Sequence, residues 1–204
     1  MTDAPESASD STTTARALRR STWSSLLALM TSVFALAVGA YQTSLMQSQT
    51  RLMQTQARAS VWPHVSIGYN YHNSGDDPGF ELHVQNNGVG PALVRSVQTT
   101  LDGAPVRHWT DLFKTVFEKN QTVHADLSGL QGIVIPPNTN RDTLVPALKI
   151  TDADFAKRVY DLHDRIDMRI CYCSIYDDCW IATMKTAQPM PTPACAQSQD
   201  EFDY

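Results

Sequence analysis

The most constraining feature of this 204-residue sequence is a run without any charged residue, from Ser21 to Thr50. Within it, residues 22–41 (TWSSLLALMTSVFALAVGAY) are mostly apolar. About twenty helical residues, rising ~1.5 Å each, match the hydrocarbon thickness of a bilayer. Trp23 and Tyr41 stand at the two ends, where aromatic rings favour the headgroup level. The sequence therefore predicts one transmembrane helix over residues 21–42.

The segments on either side of the span predict its orientation. Residues 1–20 are rich in Ser, Thr, Ala and acidic residues and end in a basic flank, which predicts a disordered tail. Three arginines lie within residues 16–20, whereas only Arg51 and Arg58 follow the span closely, and this bias favours a cytoplasmic N-terminus. Because Val38-Gly39-Ala40 suits signal-peptide cleavage, removal of the segment as a signal is the alternative.

Residues 43–62 are predicted to continue the helix as a stalk. The sequence SLMQSQT at 44–50 is followed by RLMQTQA at 51–57, a near-repeat that keeps one stripe of a helix facing a partner. The helix should run to about Ser60, because Pro63 pushes the residue before it out of the helical region. The repeat predicts either a short coiled coil that makes a homo-oligomer, or a helical spacer whose apolar stripe lies on the bilayer or the domain.

Residues 63–187 predict one folded domain. Period-two alternation and turn residues predict strands at 64–71, 80–85, 93–101, 130–136 and 143–148, and a closing hairpin of 166–175 and 179–184. The pair Asp102-Gly103 predicts a tight hairpin turn. Residues 188–204, rich in Pro, Ala, Gln and acid, predict an extended C-terminal tail outside the domain.

Two amphipathic helices are predicted to be inserted among the strands. Residues 109–119 place Trp109, Leu112 and Phe113 at helical spacing. Residues 151–165 open with a capping sequence that has Asp in its first turn. The predicted fold class is thus mainly β, with a sandwich of strands and one or two helices behind the membrane helix and stalk.

The corner between two of the strands carries a resemblance. The stretch FELHVQNNGVGPALVRSVQTTLDG (80–103) contains the corner residues Asn87, Gly88, Gly90 and Pro91. It resembles the immunoglobulin-like β-sandwich modules of many uncharacterised bacterial membrane-anchored proteins, which often have an Asn-x-Gly-x-Gly-Pro-Ala corner followed by a strand and an Asp-Gly turn. The resemblance implies a fold over residues 62–185, and it implies no activity.

All four cysteines fall near the C-terminus, at Cys171, Cys173, Cys179 and Cys195. An even count in a domain that faces an oxidising space predicts two disulfides. Cys171 and Cys173 point to the same side of a strand, so each is expected to bond with Cys179 or Cys195. We expect one bond to close the hairpin and the other to hold the C-terminal tail.

The expected turn of the hairpin complicates one of these bonds. If the turn centres on Asp177-Asp178, Cys173 faces Ala182 rather than Cys179, and a Cys173–Cys179 bond needs a wider loop. A four-thiolate zinc site is the alternative, although the cysteine spacing differs from the usual C-x2-4-C pattern. A redox-active pair would normally show C-x-x-C, which is absent from the sequence.

The other polar residues predict no catalytic site and no cofactor. The six histidines form no H-x-H or H-E-x-x-H arrangement. The pairs Asp76-Asp77, Asp152/Asp154 and Asp177-Asp178 lie where turns and helix starts favour Asp. The net charge of −5 and the absence of a basic stripe argue against a nucleic-acid partner.

The leading hypothesis is therefore a membrane-anchored envelope module that binds another envelope protein or a cell-wall ligand. The chain is expected in a bacterial inner membrane, with its C-terminal domain in the periplasm. Two alternatives are a scaffolding subunit of a membrane complex and a metal-dependent hydrolase whose site assembles from dispersed His and Asp residues.

Overall fold

The computed structural model describes residues 10–73, 78–116, 124–138 and 144–202. The chain divides into two compact units, residues 1–55 and residues 56–204. Parts of several sequence predictions fall outside the described residues. They are the tail at 1–9, the Asp76-Asp77 pair, the end of the first inserted helix at 117–119, residue 143 of the strand at 143–148 and residues 203–204 of the C-terminal tail.

Helix α1 spans Asp10–Ala59 and contains the predicted transmembrane segment and most of the stalk. From Trp23 onward it is long and apolar enough to cross a membrane, with a mean hydropathy of 1.7 in its most apolar window. Ser and Thr hydroxyls donate to the preceding turn, as Thr31 does to the Ala28 carbonyl at 2.9 Å. Such bonds give the polar side chains a partner within the helix itself, as a helix in lipid would require.

The prediction of a disordered segment at 1–20 is wrong for residues 10–20, which are helical. These residues contain no Gly or Pro and include several good helix formers. Extending an existing helix by one residue adds a hydrogen bond without a new nucleation cost. The predicted end of the helix at about Ser60 is confirmed, since α1 ends at Ala59 and the Ser60 N–H still donates to the Gln56 carbonyl at 2.9 Å.

The strands of residues 56–204 form two antiparallel sheets. They are β1 (Val65–His72), β2 (Gly79–Asn86), β3 (Ala92–Leu101), β4 (Ala104–Val106), β5 (Ala125–Leu127), β6 (Val134–Ile135), β7 (Val145–Ile150), β8 (Ile166–Cys173), β9 (Cys179–Thr183) and β10 (Thr186–Thr192). Sheet A has the order β1-β2-β7-β5, and sheet B the order β10-β9-β8-β3-β4, with β6 also paired to β3. The prediction of a mainly β domain behind a long apolar helix is confirmed.

One hydrophobic core joins the two sheets. Sheet A contributes the alternating residues Phe80, Leu82 and Val84, as the period of two predicts. Sheet B contributes, among others, Met168 and Ile170, both fully buried. The predicted turn at Asp102-Gly103 is confirmed, because both residues have positive φ and Leu101 pairs directly with Ala104.

Two short helices pack against this core. Helix α2 spans Trp109–Val116, and α3 spans Ala153–Tyr160. The Asp152 side chain caps α3 by accepting a hydrogen bond from the Phe155 N–H at 2.8 Å.

Helix α3 ends five residues before the predicted Arg165. The cause is tertiary, since β8 must begin at Ile166 to pair with Leu101. Arg165 makes two contacts with Asp102. Its backbone carbonyl accepts a hydrogen bond from the Asp102 N–H, and its guanidinium forms a bidentate ion pair with the Asp102 carboxylate.

Two further strand predictions need correction. Only Val134–Ile135 is a strand within the predicted 130–136, and it pairs with Ala92 and Leu93. Gly132 and Ile133 reach Val94 of β3 through turn hydrogen bonds instead. The closing hairpin consists of Ile166–Cys173 and Cys179–Thr183. Its loop covers residues 174–178 and is wider than a turn centred on Asp177-Asp178.

The C-terminal segment belongs to the domain, in contrast to the predicted boundary at residue 187. Strand β10 pairs with β9, and Phe202 is fully buried. The Phe202 N–H donates to the Val97 carbonyl at 2.8 Å. The Glu201 carboxylate accepts from the Val97 N–H at 3.2 Å and from the Ser96 hydroxyl at 2.7 Å. One aromatic residue in a polar tail has no periodicity, so the sequence could not predict this burial.

We expect Phe202→Ala to lower the free energy of unfolding by about 3–5 kcal/mol, because the truncation leaves a cavity against Trp109, whose ring centroid lies 4.9 Å from that of Phe202. Denaturant unfolding of the detergent-extracted full chain, followed by tryptophan fluorescence, measures this. Gln199→Ala, an exposed change in the same tail, should stay within about 0.5 kcal/mol. Equal effects of the two variants would show that Phe202 is not part of the core.

Candidate functional site

The end of the domain that follows α1 is organised around the buried side chain of Asn86. Its Oδ1 accepts hydrogen bonds from the backbone N–H groups of His64 and Gly88, both at 3.0 Å. Its Nδ2 donates to the carbonyls of Gly90 at 2.8 Å and Ile135 at 3.2 Å. One carboxamide thus joins the residues entering β1, the corner after β2, and β6.

The two corner glycines allow the backbone of residues 61–64 to approach closely. A Cβ on Gly88 would overlap the Trp62 carbonyl oxygen, and one on Gly90 would overlap the Val61 carbonyl oxygen. The N–H groups of Val89 and Gly90 donate to the Trp62 carbonyl at 3.0 and 3.3 Å. Glycine is therefore required here by space rather than by a positive φ.

The other two predicted corner residues play smaller parts. The Asn87 N–H donates to the His64 carbonyl at 2.8 Å, and its side-chain Nδ2 donates to the Ser66 hydroxyl at 2.9 Å. Pro91 directly precedes β3. The sequence therefore located the corner correctly, but its central side chain is that of Asn86 rather than that of Asn87.

A buried tyrosine connects the same region to sheet B. The Tyr172 hydroxyl oxygen accepts a hydrogen bond from the Val65 N–H at 3.2 Å. Burial raises the pKa of Tyr172 to about 12, and the Val65 hydrogen bond opposes that shift only weakly. Tyr172 is thus a neutral structural link between β8 and the start of β1.

The β8–β9 loop lies at this end of the domain as well. Strand β8 ends at Cys173, which pairs with Leu93 at the start of β3, just after the corner. Arg58 donates to Asp178 at 2.6 Å, and its guanidinium carbon lies 5.9 Å from the centre of the Tyr176 ring. The loop is therefore held against Arg58, in the last turn of α1.

Several large side chains at this end are exposed although the core beneath them is filled. The exposed fractions are 46% for Trp62, 56% for Val89, 54% for Ile175 and 44% for Tyr176. We call these four residues, together with Arg58, the entry face. The corner fixes the backbone at Trp62 and Val89. The Arg58–Asp178 ion pair holds the loop that carries Ile175 and Tyr176.

The four cysteines form two disulfides, Cys171–Cys195 and Cys173–Cys179. The second bond closes the β8–β9 hairpin, where Cys173 pairs with Cys179 across the wide loop and Ala182 pairs with Ile170. The first bond ties the segment after β10 to β8. Disulfides of this kind are typical of an oxidising compartment.

Some of the described histidines and carboxylates pair locally, as His163 does with Asp164 at 3.2 Å. Within the residues that the structure describes, the group with metal-ligand spacing consists of Cys173, Cys179 and Cys195, all of them disulfide-bonded. His83 lies on the outer side of β2, opposite Gly68. Burial lowers the pKa of His83, and the nearby Glu81 opposes this shift.

One open depression gathers charged groups beside the β3–β4 turn. Its charges are already paired with each other or with neighbours. Asp102 pairs with Arg165, Arg107 with Asp200 at 3.2 Å, and Asp111 with Lys114 at 3.0 Å. This depression therefore gives no support to a hydrolytic site.

Comparison with known proteins identifies a family for this chain. A family model described as "Domain of unknown function (DUF8453)" matches residues 21–185. The chain belongs to this family. No curated protein and no solved structure matches it. The match includes the apolar helix, the corner and three of the cysteines, and it ends before β10, Cys195 and Phe202.

We expect Gly90→Ala to lower the free energy of unfolding by about 1–3 kcal/mol or more, because the new methyl group would meet the Val61 backbone rather than a flexible side chain. Thermal unfolding of the extracted full chain measures the loss. Gly39→Ala is the matched control, since nothing lies within 4 Å of its added Cβ. A Gly90→Ala protein as stable as the control would contradict the close approach.

Proposed function

We propose that this protein is a membrane-anchored adaptor of the cell envelope, and that its entry face binds another envelope protein. The observation that carries the proposal is the grouping of exposed Trp62, Tyr176 and Arg58 at one end of the domain. Trp, Tyr and Arg are the residue types that contribute most to protein–protein binding energy.

The composition of the entry face favours a protein partner. The Arg58 guanidinium lies over the Tyr176 ring and also pairs with Asp178, so it offers a charge that is already positioned. Val89 and Ile175 add exposed apolar area to the entry face. Because the corner fixes the underlying backbone, binding would lose little conformational entropy.

We place the protein in a bacterial inner membrane, with its N-terminus in the cytoplasm and its domain in the periplasm. The arginine excess before the apolar segment supports this orientation. The two disulfides support it independently, because such bonds persist in oxidising compartments.

We propose further that the domain is an immunoglobulin-like sandwich. The orders β1-β2-β7-β5 and β9-β8-β3-β4 correspond to the ABED and GFCC′ sheets of that fold when the strands are lettered along the chain. Helix α2 then lies between C′ and D, and α3 between E and F. Strand β10 would be an addition beside strand G.

The adaptor proposal is tested by site-specific photo-crosslinking in intact cells. A photoreactive residue at Ile175 or Val89 should give a discrete adduct of one defined mass. The control position is Ala104, which is exposed at the opposite end of β3. Adducts only from positions within α1 would instead favour a scaffolding subunit, and equal adducts from Ala104 would contradict a specific entry face.

Truncation of the aromatic anchors provides the quantitative part of this test. Tyr176→Ala should reduce the adduct formed from Val89 about 30-fold, because loss of a binding hot spot costs roughly 2 kcal/mol. Leu127→Ala is the matched control, as Leu127 is an exposed apolar residue on β5 outside the entry face. The adaptor proposal fails if both variants give the wild-type yield.

We also propose that two or more copies associate through the stalk. The spacing of Gln42, Leu45, Gln49, Leu52 and Gln56 alternates between three and four residues, as the inner positions of a coiled coil do. Leu45 and Leu52 are both exposed in the single chain. Glutamine layers between the leucines would fix the register of the helices at some cost in stability.

The double change Leu45→Asp and Leu52→Asp should abolish association, because it places charge at the inner positions. The measurement is co-capture of two differently tagged copies from mild detergent. Gln47→Asp with Gln54→Asp adds the same charge on the outward side and should leave co-capture unchanged. Equal co-capture by both double variants would show that the stalk does not carry the contact.

A further inference from the structure

The two disulfides lie together on the outer side of sheet B. Cys171 and Cys173 alternate with the core residues Ile170 and Tyr172 along β8, so both face away from the core. Cys179 pairs with Cys173 from β9, and Cys195 reaches this surface from the segment after β10.

The decisive observation is a contact between the two bonds. The Sγ of Cys195 lies 3.7 Å from the Sγ of Cys173, although each is bonded to a different cysteine. The sulfurs of Cys173, Cys179 and Cys195 all lie within 4.8 Å of one another, whereas Cys171 is not part of this group.

Accessibility differs among the four sulfur-bearing residues. Cys171, Cys173 and Cys179 are buried, while Cys195 is partly exposed. An external thiolate therefore meets Cys195 first. Access to a disulfide sulfur is one of the factors that set the rate of exchange.

We propose that the four cysteines form a thiol–disulfide exchange site, in which Cys195 can move its bond from Cys171 to Cys173. The reactant that opens the site is a protein with a reactive dithiol, the chemical class of thiol oxidoreductases. The sequence lacks a C-x-x-C pair, and the fold supplies the proximity that such a pair normally provides.

The exchange proceeds in three balanced steps. In the first step a thiolate of the dithiol protein attacks the Cys195 sulfur and forms a mixed disulfide with it. The Cys171–Cys195 bond breaks, and its electron pair goes to the Cys171 sulfur, which takes up a proton. The second thiolate of the dithiol then displaces Cys195, and the dithiol protein leaves as its disulfide. The freed Cys195 thiolate attacks the Cys173 sulfur, forming Cys173–Cys195 and leaving the electron pair and then a proton on Cys179.

The net reaction oxidises one dithiol and reduces one of the two protein disulfides. The C-terminal segment that carries Glu201 and Phe202 is bonded to β8 at Cys171 before the reaction and at Cys173 after it. While Cys195 is bonded to neither, the segment is held by the hydrogen bonds of Glu201 and Phe202 to Val97. The net result is that the hairpin bond opens, Cys171 and Cys179 become free thiols, and the tail is again bonded to β8.

The variant Cys171→Ser tests the last step without any reductant. It leaves a Cys195 thiol beside the intact Cys173–Cys179 bond in the full, detergent-extracted chain. After alkylation and peptide mapping by mass spectrometry, we expect two populations, one alkylated at Cys195 and one alkylated at Cys179 with a Cys173–Cys195 bond. Alkylation at Cys195 alone, after prolonged incubation at mildly alkaline pH, would overturn the proposal.

The matched control is Cys195→Ser, which leaves the free thiol on Cys171. Because Cys171 is outside the three-sulfur group, this variant should retain Cys173–Cys179 and be alkylated only at Cys171. Rearrangement of the Cys173–Cys179 bond in this control would show that the disulfides exchange generally and that the Cys195–Cys173 contact is not the cause.

A second test uses the wild-type protein, so its result does not depend on whether the variants fold. The protein is treated with one equivalent of dithiothreitol, alkylated and mapped in the same way. Accumulation of Cys173–Cys195 with free Cys171 and Cys179 supports the proposal. Free Cys171 and Cys195 with an unchanged hairpin bond contradicts it.

Discussion

The domain depends on one buried carboxamide, that of Asn86. It satisfies two backbone N–H groups and two carbonyls, which belong to the entry into β1, the corner and β6. Each such buried group would cost about 1–3 kcal/mol if left without a partner. The glycines beside Asn86 let residues 61–64 come close enough for these bonds to form.

This arrangement fixes part of the backbone that carries the proposed binding surface. The residues that follow α1 are hydrogen-bonded to the corner after β2, and the loop after β8 forms an ion pair with Arg58. Side chains on the entry face therefore stand on backbone that is fixed from several sides. Exposed aromatic side chains on a fixed backbone are what the proposed binding role requires.

Residues whose role follows from local spacing were predictable, and residues whose role depends on distant partners were not. The apolar run, the alternation of Phe80, Leu82 and Val84, and the Asp102-Gly103 turn all have local causes. The glycine-rich corner was visible, but its central Asn86 was not, because its partners His64 and Ile135 lie far along the chain. The burial of Phe202 was not predictable for the same reason, because its hydrogen-bond partner Val97 on β3 lies far earlier in the chain and the two meet only after folding.

The sequence by itself determined a long apolar helix, a mainly β domain behind it and an even number of cysteines, because hydropathy, alternation and residue counts are local properties. Only the tertiary structure decided which cysteines meet. The wide β8–β9 loop sets Cys173 opposite Cys179, and the returning C-terminal segment brings Cys195 to Cys171 and into contact with Cys173. Pairing is a property of register and chain path, and neither is specified until the sheets have formed.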